Sequence, residues 1–416
     1  MYDIERLKKQ RSFKEGEYWA SPLNFMGDNN MGLDGRSIKI HDVTLRDGEQ
    51  TSNLAFSMAD RLRIAEALNE LGVARIEAGM PIISEEVRQG IRQMVDMNLD
   101  SEVVGFCRTD RIDVDLAEQC GVKSVIVEHI MNPYLIQQAY GIDKQQVIDN
   151  CIDVVSYAQE KGLKTTFMGW DLTRADDFDY LEDVYTQIFN ACAPESIVLV
   201  DTLGCALPRS AGYLVKQFKE WLPDTVLEYH NHNEFGVANA GMLEAVAAGA
   251  EVVHTSVNGL GERTGNASTE EVVVMLEVLA GVDTGVNLNK IMETSILLEN
   301  ITNQAVGPNK PIVGRGLFNS ESGIGVDIMR KLDSIGFEVP EVTGAFASSL
   351  VGQPDGQPVL GKNSGRSTIA HFLEKHGLEA TKEQMGEITD RVKAEGRIQR
   401  KLLSDTQFLA ICEKVL

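Results

Sequence analysis

The stretch Ile38–Gly79, IKIHDVTLRDGEQTSNLAFSMADRLRIAEALNELGVARIEAG, decides the fold. It opens with a short β-branched run, passes through the polar loop LRDGEQ, and continues as an amphipathic helical segment, Met58–Leu71. A glycine-containing stop follows, and then a second apolar run, Ala74–Gly79. Such a unit reads as strand, helix and parallel strand. Working outward, further apolar runs occur at Glu102–Cys107, Ser124–Ile130, Lys164–Trp170, Ser196–Asp201, Val226–His232 and Val252–Gly259, with helix-period segments such as Val147–Lys161 between them. Stops such as CGV and KGL end several of these helices. Eight β-α units predict an α/β fold, a (β/α)8 TIM barrel. An open doubly wound sheet is the rival, but its first loop should carry GxGxxG, and here it reads DVTLRDGEQ.

Past the helical segment Asn287–Thr302, the composition shifts to VGPNKPIVGRGLFNSESGIG, which marks a domain edge near residue 305. The expected organisation is an N-terminal arm (1–36), packed on the barrel or on a partner subunit, a barrel (37–305), and a small C-terminal linker and helical subdomain (306–416). The 416 residues carry 39 Lys+Arg against 62 Asp+Glu, a net charge of −23. So acidic a surface repels phosphate backbones and anionic headgroups, which disfavours nucleic-acid and membrane partners. No run approaches the roughly 18 apolar residues of a membrane span, and the charged N-terminus lacks a secretory core. The 6 cysteines are scattered without a CxxC pair, the pattern of reduced thiols in a cytoplasmic protein.

Barrel enzymes keep their chemistry at the C-terminal ends of the strands. Strand one ends in HDVTLRD (Arg46, Asp47), strand two in RIEAG (Glu77), strand seven in EYHNHNE (His230, His232), and strand eight leads into NGLGERTGN (Glu262, Arg263, Asn266). Closure brings strands seven, eight and one side by side. His230 and His232 are two apart, so both point to one face. Two imidazoles beside Asp47 make a plausible divalent-metal site, with the Asn266 amide oxygen as a fourth ligand. A strand-borne HxH is also often two hydrogen-bonded histidines, and Asp47 before Gly48 could be a turn. Convergence at one mouth favours the metal. Mixed N/O ligation accommodates Zn, Mn, Mg or Co. A 2-oxo or 2-hydroxy acid could chelate such an ion, with Arg46 stabilising the developing oxyanion. His41, His129 and His254 read as structural or core residues.

DVTLRDGEQ, HNHNEFGVANA and NGLGERTGN together resemble the acetyl-CoA-dependent 2-isopropylmalate, homocitrate and citramalate synthases of the DRE-TIM metallolyases. The resemblance runs from about residue 37 to VLGKNSGRS (Val359–Ser367). It implies a divalent cation on Asp47, His230 and His232 with Asn266 nearby, Arg46 beside the 2-oxo acid carbonyl, Glu77 in the pocket, and a homodimer. The implied reaction is a Claisen-type condensation of an acyl-CoA with a 2-oxo acid, followed by thioester hydrolysis.

Three departures stand out. Trp170 occupies the position of a strand-five glutamate, Gly325 that of a post-barrel histidine, and NPYL (Asn132–Leu135) replaces an SDxH-like segment. Asp171, Glu77 or Tyr134 are the candidates to replace the lost proton-transfer groups, and Trp170, Asp171, Tyr134 and Thr202 form the expected substrate-facing set. The polyanion CoA needs local positive charge, for which Lys362 and Arg366 are the candidates. The tail cations Arg391, Lys393, Arg397, Arg400 and Lys401 interleave with acids and read as a solvated helix face. The lost groups keep two alternatives open: a C–C lyase or aldolase acting on a 2-hydroxy acid or its thioester, and a catalytically reduced metabolite-binding protein.

Overall fold

A computed structural model describes residues 4–336 and 344–416. Two compact units emerge. One is Met26–Val306; the other joins Met1–Phe25 to Gly307–Leu416.

In the first unit, eight parallel strands close into a barrel. They are β1 (Lys39–Asp42), β2 (Arg75–Glu77), β3 (Glu102–Arg108), β4 (Ser124–Ile130), β5 (Lys164–Trp170), β6 (Ser196–Asp201), β7 (Val226–Asn231) and β8 (Val252–Thr255). The seam is made by β8 on β1, with His254 opposite His41. The helix after β1 spans Met58–Leu71. Ser57 caps it by accepting from the Asp60 amide at 3.2 Å, and Gly72 closes it in the left-handed region. A side chain at Gly72 would also meet the Gly285 carbonyl at 2.9 Å.

Strands one and eight are shorter than the apolar runs that announced them. The Arg46 and Gly48 amides both donate to the Val43 carbonyl, at 3.1 and 3.0 Å, so the chain curls away from β1 before Asp47. Beyond β8, Val257–Gly259 forms a 3-10 turn with Asn258 at φ 60°. Hydrophobicity alone does not register either turn.

The barrel interior divides into two halves of opposite chemistry. Val104, Phe106, Ile126, Met168, Val198 and Val200, from β3 to β6, form an apolar cluster. The facing half, from β7, β8, β1 and β2, is charged. Glu228 pairs with Arg75, accepts from Ser196 Oγ at 2.6 Å, and meets His254 Nε2 at 2.7 Å. His254 stacks on His41 with ring centroids 4.2 Å apart, and His41 Nε2 meets Glu77 at 2.7 Å. Buried charges survive only when partnered in this way.

The N-terminal arm does not behave as one piece. Met26–Arg36 belongs to the barrel unit, where Gly35 N donates to Gly281 O at 2.9 Å. Residues 17–19 instead belong to the other unit, where they pair with 345–347 through Trp19 N to Ala345 O at 2.9 Å and Ala347 N to Glu17 O at 2.7 Å. Backbone donors and acceptors in this edge are satisfied by that pairing.

In the second unit, helices Arg366–Lys375, Lys382–Gln399 and Asp405–Cys412 bury a core that includes Ile369, Phe372, Ile388, Val392 and Phe408. The GKNSGRS segment has a packing role there: Gly365 and Gly323 approach so closely that a Cβ on Gly323 would lie 2.5 Å from the Gly365 Cα. Among the described residues no helix is long and apolar enough to cross a membrane. All six cysteines are free, and only Cys205 is exposed.

Removing Glu228 leaves Arg75 and His254 without their buried partner. Glu228→Ala should therefore lower unfolding stability by about 3–5 kcal/mol, read from urea denaturation. A midpoint and slope equal to the parent's would show that the charged half does not carry the barrel.

Candidate metal centre and active site

The three polar loops deliver Asp47, His230 and His232 to one point. His230 is in β7, while His232 lies one residue beyond it and bridges to Asn266 in the loop after β8. The Asp47 Oδ2 atom lies 3.7 Å from His230 Nε2 and 3.6 Å from His232 Nε2, and the two Nε2 atoms are 3.3 Å apart. The other carboxylate oxygen, Oδ1, accepts from the Glu262 amide and from Asn266 Nδ2, each at 3.1 Å. Asn266 Nδ2 also donates to Leu260 O at 2.9 Å, which leaves its buried Oδ1 without a partner.

Glycines make the close approach possible. At Gly261 a Cβ would lie 2.3 Å from Asn266 Nδ2 and 2.9 Å from Asp47 Oδ1; at Gly265, with φ 85°, it would lie 1.9 Å from the Gly259 carbonyl. This is the physical content of the NGLGERTGN motif.

The donor set fits a divalent cation. Burial, then the neighbouring His232 and His254, holds His230 well below the ordinary imidazole range, and burial also lowers His232. Both rings are therefore neutral at neutral pH, as ligation requires. Two imidazole nitrogens and a carboxylate oxygen converge, and the orphaned Asn266 Oδ1 belongs to the same cluster. Neither Nδ1 has a protein partner, so strand geometry rather than an outer carboxylate fixes the rings.

A second trio, His41, Glu77 and His254, also has ligand-like spacing. Its members are fully buried and already hydrogen-bonded, and none lines the cavity. It supports the layer above.

Arg46 links the two layers. It pairs with Glu77 through Nε, and its Nη1 donates to Asp47 Oδ2 at 3.0 Å. The guanidinium lies over Phe106 at 4.4 Å. Its buried Nη2 has no hydrogen-bond partner among the described residues. Burial alone would raise Glu77, but Arg46 and His41 hold it at about 2.

Above these groups is a cavity of about 220 Å³. Arg46, Asp47, His230, His232, Thr202 and Trp170 line it, so these expected residues are brought together. Three others are placed differently. Glu77, expected in the pocket, lies beneath it as the buried partner of Arg46 and His41. Asp171 is fully buried and held by Arg174 at 2.7 and 2.8 Å and by Asn132 Nδ2 at 2.9 Å; this ties together the loops after β4 and β5. Tyr134 is exposed and donates to Asp176 at 3.0 Å. Neither of these two lines the cavity. Lys362 and Arg366 are exposed residues of the second unit, and Gly325 lies in its helix Gly323–Asp333.

Sequence reading missed Phe106, Arg108, Glu128 and Met168, which line the cavity from β3, β4 and β5. Burial, with the Glu77, Asp47 and Glu262 carboxylates, pushes Glu128 up to about 7 against the pull of Arg46. An acid interrupting the apolar run SVIVEHI was the signal available.

The profile of the HMGL-like family matches residues 37–298. The chain belongs to the HMGL-like family. It is 33% identical over 398 residues to homocitrate synthase AksA of Methanothermobacter thermautotrophicus, covering 96% of this chain and 98% of that one. With the 2-isopropylmalate synthase of Methanocaldococcus jannaschii it shares 36% identity over 399 residues (93% of this chain, 73% of that one). With the (R)-citramalate synthase CimA of the same organism it shares 35% over 379 residues (91% and 74%). Among solved structures, an HMG-CoA lyase from Bacillus subtilis superposes with a TM-score of 0.59 at 19% identity, covering 66% of this chain and 96% of that one. The HMGL-like barrel is thus shared at the level of fold.

Substituting Gly261 with alanine forces the carboxylate and amide apart. Gly261→Ala should weaken Mn²⁺ binding at least about tenfold, by loss of liganding geometry, while circular dichroism keeps the barrel signature. Equilibrium dialysis giving parental affinity would show that Asp47 is not held by this contact.

Proposed function

We propose that this chain catalyses the metal-dependent condensation of an acyl-CoA, acetyl-CoA first among them, with a 2-oxo acid. The observation that carries the reading is the convergence of Asp47, His230 and His232 beside the unpaired Nη2 of Arg46, at the floor of a small cavity. The named synthases that match over more than nine-tenths of the chain support the same reaction. The lyase alternative is supported by fold alone, since the lyase structures share under a quarter of the sequence.

In this reading Asp47, His230 and His232 hold the cation, with Asn266 Oδ1 beside them. When bound, the ion acts as a Lewis acid toward the 2-oxo acid carbonyl. Arg46 orients the acid and donates from Nη2 to the oxygen that gains charge. Glu77 positions Arg46, and Thr202 and Trp170 shape the cavity. The acyl-CoA methyl carbon loses a proton, and its carbon bonds to C2 of the 2-oxo acid. The new alkoxide takes up a proton, and water cleaves the thioester to release CoA thiol. Lys362 and Arg366 are the cations proposed to meet CoA. A cytoplasmic homodimer without nucleic-acid or membrane partners completes the proposal, in keeping with the −23 charge.

Free thiol released from acetyl-CoA should require both a 2-oxo acid and a divalent cation, and a chelator should abolish it. Asp47→Ala should remove metal and turnover together. Arg46→Lys should retain metal yet lose about 10²–10³ in kcat, as for loss of one oxyanion donor. Thiol release that continues undiminished after chelation, or in Asp47→Ala, would contradict the assignment.

Because burial lowers His230 and His232, protons compete with the metal only below the ordinary imidazole value of about 6.5. Mn²⁺ affinity should stay level from pH 8 to 6.5 and fall beneath that. An affinity loss centred at or above 6.5 would contradict the burial of the pair.

A further inference from the structure

On the reading above, the carboxylate and carbonyl of the 2-oxo acid occupy the β1 and β7 side of the cavity, where Arg46 and the ligand trio lie. Its side chain must then run toward the opposite wall, formed by β3, β4 and β5. That wall consists of Phe106, Met168 and Trp170, interrupted by the cross-strand neighbours Arg108 and Glu128.

The Glu128 carboxylate makes no hydrogen bond or ion pair with any described residue. Both nearby cations pair with other carboxylates. Arg46 is held by Glu77 and Asp47. Arg108, the strand neighbour of Glu128, lines the same cavity but makes its bidentate pair with Asp113, both bonds 2.9 Å. The part-exposed carboxylate faces the cavity and is set on the path of the substrate. Burial and three neighbouring carboxylates push it up to about 7, so the group is mostly ionised, and repels a second carboxylate, only above neutral pH. A second cavity, of about 700 Å³, shares Arg108, Glu128 and Trp170 with the first and gives the substrate's far end room.

We infer that Glu128 is a specificity-determining residue: it admits 2-oxo acids whose far end carries a hydrogen-bond donor or no charge, and excludes those that carry a second carboxylate there. This rests on the proposed reaction, because that reaction fixes which end of the acid faces the metal. Like charges brought together without a cation between them discriminate strongly. Glu128 then does by electrostatics what Trp170 does by bulk.

The test uses the full, Mn²⁺-loaded chain at about pH 8, where most of Glu128 is ionised, and three acids: 2-oxopentanoate, its near-isostere 2-oxoglutarate, and 4-hydroxy-2-oxobutanoate. Binding is measured by calorimetry, and thiol release from acetyl-CoA is followed in parallel. The parent should bind 2-oxoglutarate at least about 100-fold more weakly than 2-oxopentanoate, in line with like-charge exclusion. Glu128→Gln should narrow that ratio at least about tenfold, and Glu128→Leu should in addition lose affinity for the hydroxy acid. Near-UV circular dichroism checks that both variants are folded; either one suffices for the anion ratio. A parent that binds 2-oxoglutarate as well as 2-oxopentanoate, or a ratio unchanged in the folded variants, overturns the inference. If thiol is released while the ratio stays fixed, the reaction stands and Glu128 does not set specificity. If the ratio shifts while no acid supports thiol release, the specificity stands and the reaction falls.

Discussion

The bridge from Glu77 through Arg46 to Asp47 is the constraint on which the site depends. Arg46 has spent Nε on a carboxylate below and Nη1 on a carboxylate beside it, so only Nη2 remains to face the cavity. A guanidinium is suited to this because its donors are fixed in one plane, which a lysine could not reproduce. The same bridge orients Asp47: Oδ1 is taken by the Glu262 amide and Asn266, and Oδ2 is left toward the two histidines. Below it, His41, His254, Glu228 and Arg75 continue the chain of partnered charge to the base of the barrel. The polar half of the interior is therefore a support column for the mouth, and the apolar half is what allows it to be buried.

The strand pattern was legible because a parallel barrel buries both faces of each strand, which leaves continuous β-branched runs such as SIVLVD. Glycine stops punctuated the helices. The two ends that differed, after β1 and β8, are places where backbone hydrogen bonding rather than hydrophobicity ends the strand. The bridge from Tyr18 to Phe346 joins residues over three hundred positions apart, and no local pattern encodes so distant a pairing.

At the site, the residues legible in sequence were those at strand ends with unambiguous chemistry: Arg46, Asp47, His230 and His232. Asp171 and Tyr134 were adjacent in sequence to the mouth but are consumed by local partners, Arg174 and Asn132 for the one and Asp176 for the other. Strand ends give position but not side-chain commitments, and those decide availability. Glu128 shows the converse. It sits inside an apolar run, where an acid looks like a flaw in the strand, and only barrel closure shows that it faces the same cavity as Arg46. Asp171 and Tyr134 do not line the cavity, whose wall opposite the Asp47, His230 and His232 trio carries Phe106, Met168 and Trp170.

Anomalous diffraction from crystals soaked in Mn²⁺ tests the central claim most directly, because it locates the ion without reference to turnover. The account predicts one strong peak among Asp47 Oδ2, His230 Nε2 and His232 Nε2, with Asn266 Oδ1 alongside. A peak in the buried His41, Glu77 and His254 layer, or none within the barrel at full soak, would contradict it.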